Sequence, residues 1–532
     1  MARLRLGIRC LAQGGSLKLQ VKPRRVTATM AEGYNWFLIL VTIVVGILVV
    51  VANLHILVHF QHPEDRNQAW VPKVVVIFGL SLAMMSVLMF PLDVANRSAC
   101  SDHVALSACD FAMPMKELWY TVYMIGSVLV LVVIPFASFY YEADPDFSAT
   151  KRVKSATFWV VITSVVAGLT LGLAYGLAGY VEYPVEQLFS GIVPLDASGP
   201  IQRDCIPPTG FWQTAPAGAC DTTTVTLEEK IWSIRTSFPV YVIVLSSLFG
   251  WFLFSVFAGV GMVTLPVDLL LSFARRPKAT ITKTQYMQQA KQLAIRAKEI
   301  KEVATDLRRE EQTQGKSRSW KKKLKKVNLS LVSLEEGHEK LNQVYPQGEN
   351  AEAAWIMTVL GYWLRLLLGF LTTFTSLLLI VHVVLYMILD PPESSFLNDV
   401  FIVLDKAFPL FGTAAFALFC FYMIAITVKG CSKFGLNLLV ISLHPMKVGG
   451  TLMSSFLFNV ALILLSTQAV IQFCAQAFAV YAESTEVQDI FGNEVEHLWG
   501  LSVLYIENVF IYAWLAVAGL TSLFVAVKWP NV

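Results

Sequence analysis

The chain has 532 residues, of which 55% are hydrophobic and only 15% charged, with a net charge of +3. A soluble domain carries about 25% charged residues, and 27 of the 79 charges here fall within residues 275–350, so the remainder is too apolar for a water-facing surface. These figures exclude a soluble enzyme, a secreted disulfide scaffold and a disordered chain, and they give no case for nucleic acid; with a mean hydropathy of +0.59 they describe an all-α, polytopic membrane protein seated in a lipid bilayer.

Residues 1–29 form a basic N-terminal extension. They hold seven Lys/Arg, among them Arg3, Arg5, Arg9, Arg24 and Arg25, and no acid, which reads as a presequence or an extension outside the mature fold. Residues 30–274 then carry five apolar runs long enough to span: Tyr34–Phe60, Val74–Val94, Leu118–Tyr141, Thr157–Tyr180 and Phe238–Thr264. Residues 275–353 are polar. Residues 354–532 carry four more spans: Arg365–Leu389, Phe408–Val428, Met453–Val480 and Leu498–Val527. The run from Ala354 to Leu389 would make about 54 Å of helix, too long for a bilayer core, so its first turns are expected at the interface with Arg365 snorkelling to the surface.

Nine spans put alternate loops on opposite sides. One set of loops holds 27 Lys/Arg and the other six, which assigns 275–350 and the C-terminus to the cytosol. The other side, a lumen or the exterior, then receives two close cysteine pairs: Cys100 with Cys109, and Cys205 with Cys220. These are disulfide candidates in an oxidising compartment, or else four free thiols. Cys420 and Cys474 fall inside spans and read as packing residues.

The polar segment is patterned. Tyr286, Ala290, Leu293, Ala297, Ile300, Ala304 and Leu307 follow a 4-3 spacing, and so do Val327, Leu331, Leu334, His338, Leu341 and Tyr345. Two such seams separated by a turn around Gly315 predict a cytosolic antiparallel helical hairpin. Its seam would run through Leu293, Ile300, Leu307, Leu331, Leu334 and Leu341, and 275–350 would be the surface for a cytosolic protein partner. A solvated helix followed by a linker is the alternative. Lys321, Lys322, Lys323, Lys325 and Lys326 form a basic cluster, read either as a topology determinant or as a site for anionic lipid.

Catalytic signatures are missing: there is no Walker A loop, GxGxxG, HExxH or GxSxG. His55 and His59 share a helix face but have no acid or thiol at helical spacing, so no metal site is expected. Ionisable residues within or beside spans are few. Asp268, Arg365 and Glu507 are the intramembrane polar candidates, Glu507 being the deepest carboxylate.

Three local segments carry a resemblance. They are Asn67-Gln-Ala-Trp-Val-Pro-Lys73, Phe90-Pro-Leu-Asp-Val-Ala-Asn-Arg97, and Leu443-His-Pro-Met-Lys-Val-Gly449 leading into Met453-Ser-Ser-Phe-Leu-Phe-Asn459. With nine spans and a basic loop after the fifth, the chain resembles the limb-region (LIMR) membrane protein family over 30–532. It is most similar to the branch of the lysosomal cobalamin transport escort protein and its plant and protist relatives. The resemblance singles out Asn67, Pro91, Asp93, Asn96, His444, Pro445, Met446, Lys447 and Asn459 as family-motif residues. It implies an endolysosomal multi-pass protein that moves cobalamin to the cytosol or escorts its transport, alone or with a partner transporter. Cobalamin would be a transported ligand, not a cofactor. The alternative is a receptor or scaffold at the plasma membrane or in endosomes for lipocalin-like ligands and signalling partners.

Overall fold

A computed structural model describes residues 36–528, apart from 63–64, 66–69, 102–112, 144–147, 187–228, 315–317, 346–350, 434–436, 439–440, 443–448 and the single positions 409, 484 and 496. Among the described residues, nine helices are long and apolar enough to cross a membrane. In chain order these and the remaining main elements are α1 (Trp36–Phe60), α2 (Trp70–Ser101), α3 (Met115–Glu142, with a π turn at Leu129–Val133), α4 (Ala149–Ala178), strands β1 (Tyr180–Glu186) and β2 (Glu229–Arg235), and α5 (Phe238–Ala274). There follow α6 (Lys283–Gln314), α7 (Arg318–Val344), α8 (Ala351–Val383, prolonged by a π turn to Ile388), α9 (Phe396–Ala407), α10 (Phe411–Lys433), α11 (Met453–Ala477) and α12 (Val509–Lys528).

The spans are not equivalent. In α11, 78% of the apolar window is buried, against 6% in α4 and 17% in α1. Helix α11 is therefore the axis of the bundle, with α2, α5 and α10 packed about it and α1 and α4 at the rim. This layout follows from composition: α11 carries Asn459, Ser466, Thr467, Gln468 and Gln472, whose polar groups need protein partners in a medium that offers no water. Close approach of α5 to α10 rests on two glycines. A methyl on Gly261 would strike the Ile426 carbonyl, and one on Gly430 would strike the Phe257 carbonyl.

Two expectations need correction, and one connection between spans is more than a loop. The segment before Arg365 is not a separate interfacial helix: nothing in 351–383 breaks the helix, and it runs unbroken into the membrane. Its first turns lie against the end of α5, where Trp363 meets the Phe273 ring at 5.0 Å, and against α7, where Tyr362 Oη donates to Gln343 Oε1 at 3.0 Å. The last span is not one helix from Leu498 to Val527. A short helix, Ser502–Ile506, ends in a turn in which Asn508 takes a left-handed backbone (φ 52°), and α12 starts at Val509. Residues 482–497 are not simply an outer loop, because Val487, Ile490, Phe491 and Val495 are buried in the main core.

The loop between α4 and α5 adds a small antiparallel sheet, β1 with β2, Tyr183 opposite Trp232. Loops assigned to one side meet each other. Gln61 bridges Thr451, and Glu182 N donates to the His497 carbonyl at 2.9 Å at the opposite end.

Candidate functional site

Helices α6 and α7 pack antiparallel rather than as one helix and a linker. Tyr286 stacks on Tyr345 at 4.6 Å, a Cβ on Gly337 would lie 3.0 Å from Leu293 Cδ2, Trp320 Nε1 donates to the Leu307 carbonyl at 3.0 Å, and Lys323 pairs with Glu310 at 2.6 Å. The seam is unevenly closed. Leu307, Trp320 and Leu341 are buried, Leu293, Ile300 and Leu334 are half-buried, and Leu331 remains 43% exposed. Two helices alone cannot cover a seam on every side.

At the other end of the bundle a polar network ties helix ends together. Asp93, on α2 two residues after the buried Pro91, is itself buried; its Oδ2 accepts from Trp119 Nε1 at 3.0 Å and from the Val487 amide at 3.1 Å. One turn on, Asn96 Oδ1 accepts from the Met113 amide at 3.0 Å. The spacing of Asp93 and Asn96 thus turns one helix face toward the start of α3 and the folded-back segment. Asp405 Oδ1 accepts from the Thr413 amide at 3.1 Å and its Oδ2 from Tyr481 Oη at 2.6 Å.

Helix α11 is held at both termini by residues far from it in sequence. At its start Asp65 is buried and accepts from the Met453 amide at 3.2 Å and from Tyr141 Oη at 2.9 Å. At its end the Ala477 carbonyl accepts from His382 Nε2 at 2.9 Å and Asn398 Nδ2 at 3.3 Å. The His382 ring lies flat between Tyr386 and Phe478, 5.2 and 5.4 Å away. Asp65, Asp93 and Asp405 each accept an amide at the start of a helical segment to which they do not belong, the arrangement a helix N-terminus favours for a carboxylate.

Within the bundle Gln472 Oε1 accepts from Ser247 Oγ at 2.6 Å and Trp251 Nε1 at 2.7 Å, while Gln468 Oε1 accepts from Ser246 Oγ at 2.6 Å. Asn53 Nδ2 donates to Ser81 Oγ at 3.1 Å, joining α1 to α2. These residues were not singled out from sequence. The signal for two of them was legible: Gln468 and Gln472 stand four apart in an apolar span and must share a face.

Of the other candidates, Asp268 sits at the hairpin end of α5, bridged by Lys429 Nζ at 2.8 Å and Lys433 Nζ at 2.9 Å. Arg365 is exposed, donates to Ser272 Oγ at 3.1 Å and lies over the Tyr362 ring. Asn459 is buried on α11, 3.8 Å from Cys431 Sγ. Glu507 is not inside the last span helix: it lies exposed in the turn before α12, which starts at Val509. Cys109, Cys205, Cys220, Asn67, His444, Pro445, Met446 and Lys447 lie outside the described residues, as does the Cys100 side chain.

The LMBR1-like membrane protein family model matches residues 35–317 and 306–523. A LIMR family protein of Arabidopsis thaliana is 46% identical over 500 residues, covering 93% of this chain and 97% of the relative. One of Oryza sativa is 45% identical, covering 93% and 96%, and one of Dictyostelium discoideum is 30% identical, covering 93% and 98%. No solved structure matches. The chain belongs to the LMBR1-like, or LIMR, family of membrane proteins.

Proposed function

We propose that this LIMR family chain is a scaffold of endolysosomal membranes that escorts cobalamin export to the cytosol, and that it docks a cytosolic partner, such as a partner transporter, through the α6–α7 hairpin. The observation that carries the reading is how the hairpin is mounted. It stands between α5 and α8, two helices that run on past the bilayer core, and its base is tied to α8 through Tyr362 and Gln343. A partner bound there would be held in fixed relation to the membrane bundle.

Escort is favoured over conduction because α11 is packed on all sides at the centre of the bundle. One cavity in the bundle, lined by α3, α4, α5 and α11, is about 170 Å³, below even the drug-sized range of about 300–1,000 Å³, and a corrinoid is larger still. The chain carries out no covalent chemistry in this reading; its polar clusters are spent on helix ends and inter-helix hydrogen bonds.

The test is a null cell line with lysosomal cobalamin measured, combined with imaging of a tagged chain against lysosomal and plasma-membrane markers. Retained cobalamin that the intact chain relieves supports the escort. Unaltered lysosomal cobalamin dismisses it. The receptor reading would then stand, and one feature favours it: Ile231, Trp232 and Ile234 of β2 present exposed apolar side chains at the end opposite the hairpin.

A further inference from the structure

The hairpin is pinned at both ends and open in the middle. The Tyr286–Tyr345 stack closes the base, and the Trp320–Leu307 contact and the Lys323–Glu310 pair close the tip. Between them lies a half-open cavity of about 380 Å³. One wall is made of Ala297, Ile300 and Ala304 and the other of Val327, Leu331 and Leu334. The alanines leave the volume, and Leu331 stays exposed beside it.

The cavity is apolar inside and cationic at the edge. Lys301 and Arg308 line it, and among the described residues no acidic side chain does. The surrounding segment 296–334 holds twelve Lys/Arg against five Asp/Glu. Lys301 stands about 22 Å along α6 from Tyr286, which removes the groove from the membrane end of the hairpin. Both walls are helical ridges at 3–4 spacing, and such ridges take the ridges of another helix into their grooves.

We propose that this groove receives a third helix: an acidic amphipathic helix of a partner protein. Its aliphatic side chains fill the space between Ala304 and Leu331, and its carboxylates meet Lys301 and Arg308. The inference rests on the reading that the hairpin docks a cytosolic partner, and it names the chemistry of that partner. Two helices that bury one stripe each become a three-helix bundle, and the added charges are opposite to the excess charge of the surrounding segment.

The test uses the full chain in nanodiscs of neutral phosphatidylcholine. The probe is a fluorescent 21-residue helical peptide with leucines at heptad core positions and glutamates flanking them, compared with its glutamate-to-lysine counterpart. The acidic peptide should bind and the basic one should not. Ala304→Trp, which fills the cavity from within, should weaken the acidic peptide by about tenfold or more, the scale of one good buried anchor. Lys301→Glu with Arg308→Glu should reverse the preference. A spin-label distance between the exposed positions 303 and 326, unchanged in each variant, establishes that the hairpin stays closed. Equal binding of the two peptides, binding of neither, or binding of the Ala304→Trp variant at full strength overturns the proposal. So does capture of phosphatidylserine vesicles in place of the peptide. The assay does not involve cobalamin, so failure of the escort reading and failure of this groove would be seen separately.

Discussion

Asp93 and Val487 are 394 residues apart in sequence, yet the Asp93 carboxylate accepts the Val487 amide at 3.1 Å and the Trp119 indole at 3.0 Å through the same oxygen. Asp93→Leu would leave both donors buried without an acceptor, at a cost of about 2–4 kcal/mol. The melting temperature of the detergent-solubilised protein should fall, and Asp93→Asn, which keeps an acceptor, should fall less. Equal melting points for all three proteins would deny the residue this role.

Gln472→Leu should be costly for the same reason, since Ser247 and Trp251 both donate to its oxygen. The expected loss is about 2 kcal/mol or more. Adding Ser247→Ala removes one stranded donor and should recover part of the loss. A double variant as unstable as the sum of its parts would mean the two side chains are not coupled.

Gly430→Leu should prevent α5 and α10 from meeting, because any side chain there enters the Phe257 backbone. Backbone cannot yield as a side-chain tip can, so overpacking of more than about 3 kcal/mol is expected. The variant should reach the membrane and be cleared as misfolded. Gly168→Leu on α4, where a Cβ would meet nothing within 4 Å, is the control that should fold normally.

Leu293→Asp with Ile300→Asp should open the hairpin, because a carboxylate in the seam has no partner and burying one costs several kcal/mol. The spans insert by their own apolarity and should be unaffected. Spin labels at the exposed positions 303 and 326 would report the separation. A closed hairpin in this variant would remove the seam as the source of its stability.

Accessibility labelling should reach a cysteine placed in 310–325 from the cytosol alone and one placed in 210–216 from the other side alone. Non-reducing mass spectrometry should find Cys100–Cys109 and Cys205–Cys220, loops short enough for about 3 kcal/mol each. Free thiols at all four positions would argue against an oxidising compartment.

The spans and the hairpin were legible because both are local signals. An apolar run announces a helix over its own length, and the 4-3 spacing from Tyr286 to Leu307 marks a seam on its own helix without reference to distant residues. The caps were not legible. Asp65, Asp93 and Asp405 look like carboxylates stranded beside spans, and only the amides they accept, two of them 388 and 394 residues away, reveal what they do. The last span was misread because its composition is continuous across Glu507 and Asn508 while the backbone is not. Hydropathy reports the medium a segment prefers and says nothing of where the chain turns within it.

The most enclosed helix, α11, is the eighth of nine to leave the ribosome. Until it arrives, Ser246, Ser247 and Trp251 of α5 face lipid or a provisional neighbour, and the Asp65 carboxylate has no Met453 amide to receive. Maturation is therefore back-loaded. The earlier spans can pair directly, as α5 does with α10 through Gly261 and Gly430, but the polar face that α5 turns toward α11 stays unmatched until that late helix arrives. A nascent chain stopped before residue 453 would expose a row of hydroxyl and indole groups in the bilayer, a mark by which quality control can recognise it. Premature termination late in the message should thus remove the protein as completely as termination early in it.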